Sequence, residues 1–213
     1  MPLSNESTYT INDIYALPEG ERAELIDGKL YMMAPPSRLH QELVGELFTV
    51  IRNHIGKNGG SCKAYIAPFA VFLNENEKNY VEPDISVICD INKLNDKGCQ
   101  GAPDWIIEIV SPSSQRMDYQ IKLFKYRTAG VKEYWIVNPD TCTVTVYGFD
   151  NDFNSGQLSP LPGLHDSNAR NNSGEQRNNS VLPIHLHTSC FHAEFVRSAC
   201  CHSTASGLPS KYI

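Results

Sequence analysis

The stretch Asp104–Tyr134, DWIIEIVSPSSQRMDYQIKLFKYRTAGVKEY, limits the fold more than any other part of the chain. It reads as strand, turn and helix, and it leads into a further strand, Glu133–Val137, that Asn138-Pro139 stops. The first strand, Asp104–Val110, is almost continuously apolar, the pattern of a strand covered on both faces. Ser113 or Ser114 can cap the helix, which runs to about Ala129 and ends at Gly130. This is the one strand–helix–strand crossover in the sequence. It argues for an α/β chain with a mixed sheet flanked by helices rather than a doubly wound nucleotide fold. No glycine-rich phosphate loop follows any strand, so no nucleotide cofactor is expected.

The remaining elements fit that plan. Tyr9–Leu17 is a short helix with Thr10 as its cap and Pro18 as its stop. Glu21–Met33 is a hairpin, because Asp27-Gly28 stands between two apolar runs and Asp-Gly is a strong two-residue turn signal. From Arg38 to about Lys57, Leu39, Leu43, Leu47 and Ile51 recur every four residues, giving an amphipathic helix that packs on a sheet. Cys62–Leu73 gives strands broken near Pro68. Tyr80–Cys89 is a strand interrupted by Pro83, Asp90–Gly101 is a polar loop with room for a short turn of helix, and Cys142–Tyr147 adjoins the strand before it.

The boundary falls near residue 150. A domain over 8–150 is followed by 151–213, which is rich in Asn, Ser and Gly and shows no sustained period. A segment of that composition cannot bury enough surface to order itself, so it is expected to be disordered or aberrant, as a shifted reading frame would make it. Its histidines and cysteines follow no recognised metal-ligand spacing.

No apolar run reaches the length of a membrane helix, and MPLSNESTYT lacks the basic and apolar regions of a signal peptide. The expected compartment is the cytoplasm. There the cysteines of the core, Cys62, Cys89, Cys99 and Cys142, are expected as reduced thiols. Of the 213 residues, the first 150 carry 14 basic and 20 acidic side chains and hold the whole net charge of −6. That balance does not favour indiscriminate binding to nucleic acid. Arg116, Lys122, Lys125, Arg127 and Lys132 nevertheless cluster, either as a phosphate-contacting patch or as a solvated helix face.

The chemistry rests on a few charged residues in apolar settings. Side-chain alternation puts Ile106, Glu108 and Val110 on one face of their strand. An ionised Glu108 there costs several kcal/mol, on the order of the penalty for burying any lone charge, unless it is paired or metal-bound. Asp84 opens another strand, where it is either a turn residue or a second acid. Glu24 is either a surface charge of the hairpin or a third acid. Lys122 has Asp118 and Tyr126 at i−4 and i+4 on its helix face. It forms either a surface pair with Asp118 or an ammonium turned toward the acids. His40 is a capping or core histidine, or an accessory to the site. Oxygen ligands from Asp84 and Glu108 suit Mg²⁺ or Mn²⁺. Such an ion beside a lysine suits phosphodiester hydrolysis, with Glu24 available either to complete the metal shell or to take the water's proton.

The segments RAELIDGKL, PPSRLHQ, VEPDISV, WIIEIVSPSS and DYQIKLFKYRTAGVKEYWIVNP, taken in order, resemble the Uma-two family of restriction-endonuclease-like proteins, part of the PD-(D/E)xK nuclease superfamily. The resemblance covers about Thr8–Phe149. It implies a restriction-endonuclease-like core with Pro83-Asp84 and Glu108 as its acids, and Glu24 and His40 at positions that recur in such proteins. It also implies DNA as the partner and a divalent cation as the cofactor. The superfamily's lysine stands two residues after the second acid, where this chain has Val110. The Uma-two pattern moves it to the following helix, matching Lys122. Family members continue past Phe149 with further strand and acidic segments, which Asn154–Ile213 does not resemble. The expected activity is a metal-dependent endonuclease, with a homodimer where both strands are cut. The alternative is a non-catalytic nucleic-acid-binding or protein-interaction module on the same fold.

Overall fold

Local sequence chemistry sets the first elements. A computed structural model of the protein describes residues 8–74 and 77–149, together with the backbone of a strand at Gly156–Ser159. Asp13 accepts from the backbone N–H and hydroxyl of Thr10 (2.7 and 3.0 Å) and so starts helix α1, Ile11–Tyr15. Strands β1, Ala23–Ile26, and β2, Lys29–Met32, form the anticipated hairpin. Asp27 and Gly28 make its turn at φ of 51° and 76°, the pair of positive angles a type I′ turn needs. Helix α2, Arg38–Lys57, begins where Ser37 accepts from the His40 N–H, and it buries Leu43, Val44, Leu47 and Ile51.

Next come β3, Lys63–Ile66, β4, Val71–Phe72, and β5, Ile85–Ile88. The loop after β5 holds the anticipated short helical turn and, beyond it, strands that its polar sequence does not suggest. It contains a 3₁₀ turn, Ile91–Lys93, and two short strands, β6, Leu94–Asn95, and β7, Gly98–Gln100, which join β4 in a small sheet. Strand β8 is Trp105–Ile109. The helix after it is not one regular α-helix. Met117–Lys122 has π-helical hydrogen bonding, and only then does α3, Leu123–Ala129, run to a left-handed cap at Gly130. Strands β9, Glu133–Asn138, β10, Thr143–Gly148, and β11, Gly156–Ser159, complete the order.

The main sheet has the order β11-β10-β9-β8-β5-β3. Strands β8 and β9 are parallel, as the crossover between them requires, and the other pairs are antiparallel. All five residues of β8 are buried. Ile106 and Val110 pack with Tyr126, Tyr134 and Ile136 in one cluster. Helix α2 packs against β3 and β8, and its buried residues lie outside that cluster. The result is a mixed sheet flanked by helices. The expected tail at 151–213 lies outside the described residues, apart from the β11 backbone.

Two of the cysteines expected as free thiols are joined. Cys62 and Cys89 form a disulfide with Cα atoms 3.9 Å apart, while Cys99 and Cys142 are free. The reason is register. Lys63 pairs with Ile88, so the residues one step beyond face each other, a relation that spacing along the chain does not reveal.

Asp104 ties three strands together. It accepts from the Cys89 N–H (2.7 Å) beyond β5, and it pairs with Lys132 (2.8 Å) just before β9. Burial works against its charge, but Lys132 and the Cys89 amide outweigh burial and hold the carboxyl below its ordinary range. A carboxylate depressed in this way stabilises the fold above its unfolded pKa of about 3.9, and the gain is lost as pH falls through the folded value. Because Lys132 is well exposed, Asp104→Asn should cost only about 1 kcal/mol at pH 7. Urea unfolding of variant and wild type should converge at low pH; a difference that persists at pH 2 would rule out this origin.

Candidate active site

Seven residues singled out in the sequence meet at the middle of the main sheet. Strand β8 carries Glu108. The lead-in to β5 carries Asp84, fixed after Pro83. Strand β1 brings Glu24, the first turn of α2 brings His40, the π-helical segment brings Asp118 and Lys122, and α3 brings Tyr126. Lys122 is the hub. Its Nζ lies 2.8 Å from Glu24 Oε2, 2.9 Å from Glu108 Oε1 and 3.8 Å from Asp118 Oδ1. Only 5% of Lys122 is exposed, so the surface-pair reading of this lysine is overturned. The π-helical register from Met117 to Lys122 lies directly where the ammonium must reach back to the strands, the kind of place such segments favour.

The two proposed metal ligands share one pattern. Glu108 Oε1 accepts from Lys122 Nζ (2.9 Å) and from the Tyr126 hydroxyl (2.7 Å). Its Oε2 meets only the Asp84 N–H, at 3.4 Å. Asp84 Oδ2 accepts from the Ile109 N–H (2.8 Å) and lies 3.0 Å from His40 Nε2. Its Oδ1 takes no hydrogen bond from the described residues. One oxygen of each acid therefore meets two donors, while the other meets one long hydrogen bond in Glu108 and none from the described residues in Asp84. Glu24 is more fully used, with Oε1 accepting from the Glu82 N–H (3.0 Å) and Oε2 facing Lys122.

Four carboxylates face one ammonium and one imidazole, and the protonation of Glu108 and Asp118 is shifted. Burial is the largest influence on Glu108 and pushes its carboxyl up. Lys122 pulls it down, but Asp84, Asp118 and Glu24 push it up again, leaving it well above the carboxylate range. Asp118 is raised by burial in the same way, against the pull of Lys122 and Ser114. Burial lowers Lys122, yet Glu108, Glu24 and Asp118 outweigh it and hold the proton firmly. Glu108 and Asp118 are thus raised by burial together with the neighbouring acids, and Lys122 is raised by those acids against burial. His40 is also raised, burial notwithstanding, through its bond to Asp84.

Some participants left no mark in the sequence. The Glu82 and Ile109 amides act through the backbone, and no residue type signals them. Tyr134, whose hydroxyl donates to the Asp118 carbonyl at 3.2 Å, sits in an apolar strand like any core aromatic. The spacing of Asp118, Lys122 and Tyr126, by contrast, announced a shared face. The basic cluster is divided rather than continuous. Lys122 and Lys125 are buried, the latter paired with Asp27, while Arg116, Arg127 and Lys132 are exposed.

No three His, Cys, Asp or Glu side chains among the described residues form a ready metal cage. The donor set fits a different kind of site. Mg²⁺ binds through one or two carboxylates and keeps water or phosphate oxygens for the rest of its shell. Two acids, each with one oxygen that meets few donors, amid surplus negative charge meet that requirement. Asp84 and Glu108 would be the ligands.

The mixed sheet flanked by helices is a restriction-endonuclease-like fold. A solved structure from Anabaena variabilis ATCC 29413, described as "a putative nuclease belonging to DUF820", matches with a TM-score of 0.60, covering 89% of this chain and 98% of that one. At 22% identity the likeness is one of fold. The model of the Uma2 family, described as "Putative restriction endonuclease", matches residues 11–170, and the chain belongs to that family. An uncharacterised protein of Synechocystis sp., slr1290, is 27% identical over 133 residues, which span 62% of this chain and 68% of that protein. Among the described residues no helix is long and apolar enough to cross a membrane.

Proposed function

We propose that the protein is a metal-dependent endonuclease that hydrolyses phosphodiester bonds in DNA. The observation that carries this reading is the surplus of acid at Lys122. Buried carboxylates without matching cations cost several kcal/mol, on the order of the usual penalty for burying charge, and proteins keep such clusters mainly where chemistry uses them. Asp84 and Glu108 would hold Mg²⁺ or Mn²⁺. The bound cation supplies Lewis-acid polarisation of the phosphoryl oxygen and an acidified water. Lys122 spreads positive charge between Glu108 and Glu24 and keeps both acids in place beside the scissile group. Glu24 is the acid left to accept a proton once substrate draws the ammonium away from it. His40 steadies Asp84 from the α2 side. Cutting both strands of a duplex calls for two copies of the site, hence a homodimer.

One observation favours a second reading. Every proton of Lys122 faces a carboxylate, which leaves none for substrate in this arrangement. A DNA-binding or protein-interaction module could keep the cluster as a structural ion network. Plasmid cleavage separates the two. With Mn²⁺, wild type should nick supercoiled plasmid, EDTA should stop it, and Asp84→Ala should be inactive. DNA retention without nicking by wild type would establish the second reading, and equal nicking by Asp84→Ala would remove Asp84 from the mechanism.

A further inference from the structure

We propose that Tyr126 is a positioning residue whose phenol sets which oxygen of Glu108 is offered to the metal. The inference rests on the metal-site reading above and sharpens it. Glu108 could rotate about its terminal bond and present either oxygen. Lys122 alone does not decide between them. An ammonium is a compact point charge on a flexible stem, and this one is shared with Glu24 and Asp118. The Tyr126 hydroxyl is a single directed donor, 2.7 Å from Oε1. Its ring is fully buried and stands edge-on to Tyr134, with centroids 5.0 Å apart at 78°. Tyr134 in turn donates to the Asp118 carbonyl, so the aromatic pair is anchored to the π-helical segment that carries Lys122. An ordinary phenol, with a pKa of about 10, is neutral at pH 7 and donates its proton to the hydrogen bond.

Asp84 is held by the same device built from other parts. The Ile109 amide and His40 occupy Oδ2 and leave Oδ1 open. The two locks act on neighbouring acids, and each leaves the other oxygen for the ion. A simpler account makes Tyr126 a core tyrosine whose hydroxyl merely finds a partner. The two accounts differ over the metal, because partners that orient a ligand typically change metal affinity about 10–100-fold.

Calorimetric titration of Mn²⁺ into the full chain tests this. Tyr126→Phe keeps the ring and removes only the donor. It should weaken Mn²⁺ binding by about tenfold or more, with an unchanged circular dichroism spectrum, while Asp84→Ala should abolish binding. Wild-type affinity in Tyr126→Phe, with binding lost in Asp84→Ala, would overturn the positioning role and leave the metal site standing. Equal binding, or none, in wild type and Asp84→Ala would overturn both. If Tyr126→Phe does not fold, a crystal structure of the Mn²⁺-loaded wild type decides. Coordination through Glu108 Oε2 with Oε1 still on Tyr126 is expected, and a Glu108 that has turned away from Tyr126 would sink the proposal.

Discussion

Lys122→Met is expected to destabilise the protein by about 3–5 kcal/mol at pH 7, the usual cost of removing one partner from a buried ion pair. Methionine nearly matches the lysine stem and keeps helix propensity, so the loss isolates the charge. Glu24, Glu108 and Asp118 would then face one another at 4%, 4% and 3% exposure with no cation between them. Net stabilities of domains are about 5–15 kcal/mol, so this one substitution could remove most of the margin.

The pH dependence identifies the cause. With the ammonium gone, the already raised folded pKa values of Glu108 and Asp118 rise further above their unfolded values. A carboxyl raised on folding favours the fold below its unfolded pKa of about 4, and that advantage disappears as pH rises through the folded value. Urea melts of Lys122→Met should therefore recover toward wild type near pH 4 and fall behind it at pH 7. A variant within 1 kcal/mol of wild type at pH 7 would mean that water reaches the cluster and screens it, on the order seen for exposed pairs.

Much of this arrangement was legible because it is local. Asp27-Gly28 needs only two residues to define a hairpin, and Leu43, Leu47 and Ile51 need only one helix to define a buried stripe. The same holds for Asp118, Lys122 and Tyr126, whose four-residue spacing survives the change from π to α hydrogen bonding well enough to keep all three at the site. The resemblance of the ordered segments to a known family added the link between Asp84 and Glu108. What escaped reading depends on strands meeting. The Cys62–Cys89 bond follows from the β3–β5 register, and the small β4-β7-β6 sheet forms from residues too few to show a period. The burial of Lys122 depends on the hairpin closing over it through Glu24. Asp84 and Glu24 are each fixed in part by a backbone amide, of Ile109 and Glu82, a donor that every residue but proline carries.

Glu108→Gln is expected to act in opposite directions on stability and on activity. Glutamine keeps the shape and an acceptor for Tyr126 and Lys122, and it stands in for the protonated acid. Burial pushes the Glu108 carboxyl up and the other three acids reinforce it, so ionisation at neutral pH weighs against the fold. The sign follows from linkage: a carboxyl raised on folding favours the native state below its unfolded pKa of about 4.3 and loses that benefit as pH climbs through the raised value. The variant should therefore equal or exceed wild type in urea at pH 7, and its stability should fall less between pH 4 and pH 8. Lys122 retains Glu24 and Asp118, so the substitution leaves no bare ammonium. Activity should move the other way. A neutral amide is a poor ligand for Mg²⁺ or Mn²⁺, and several kcal/mol of lost charge stabilisation amounts to about 10²–10³ in rate. Plasmid cleavage and urea melts on one preparation read both effects. A Glu108→Gln protein that is markedly less stable at pH 7 would show that the ion pair with Lys122 outweighs the repulsion. The surplus of acid would then not be the quantity that a bound cation relieves.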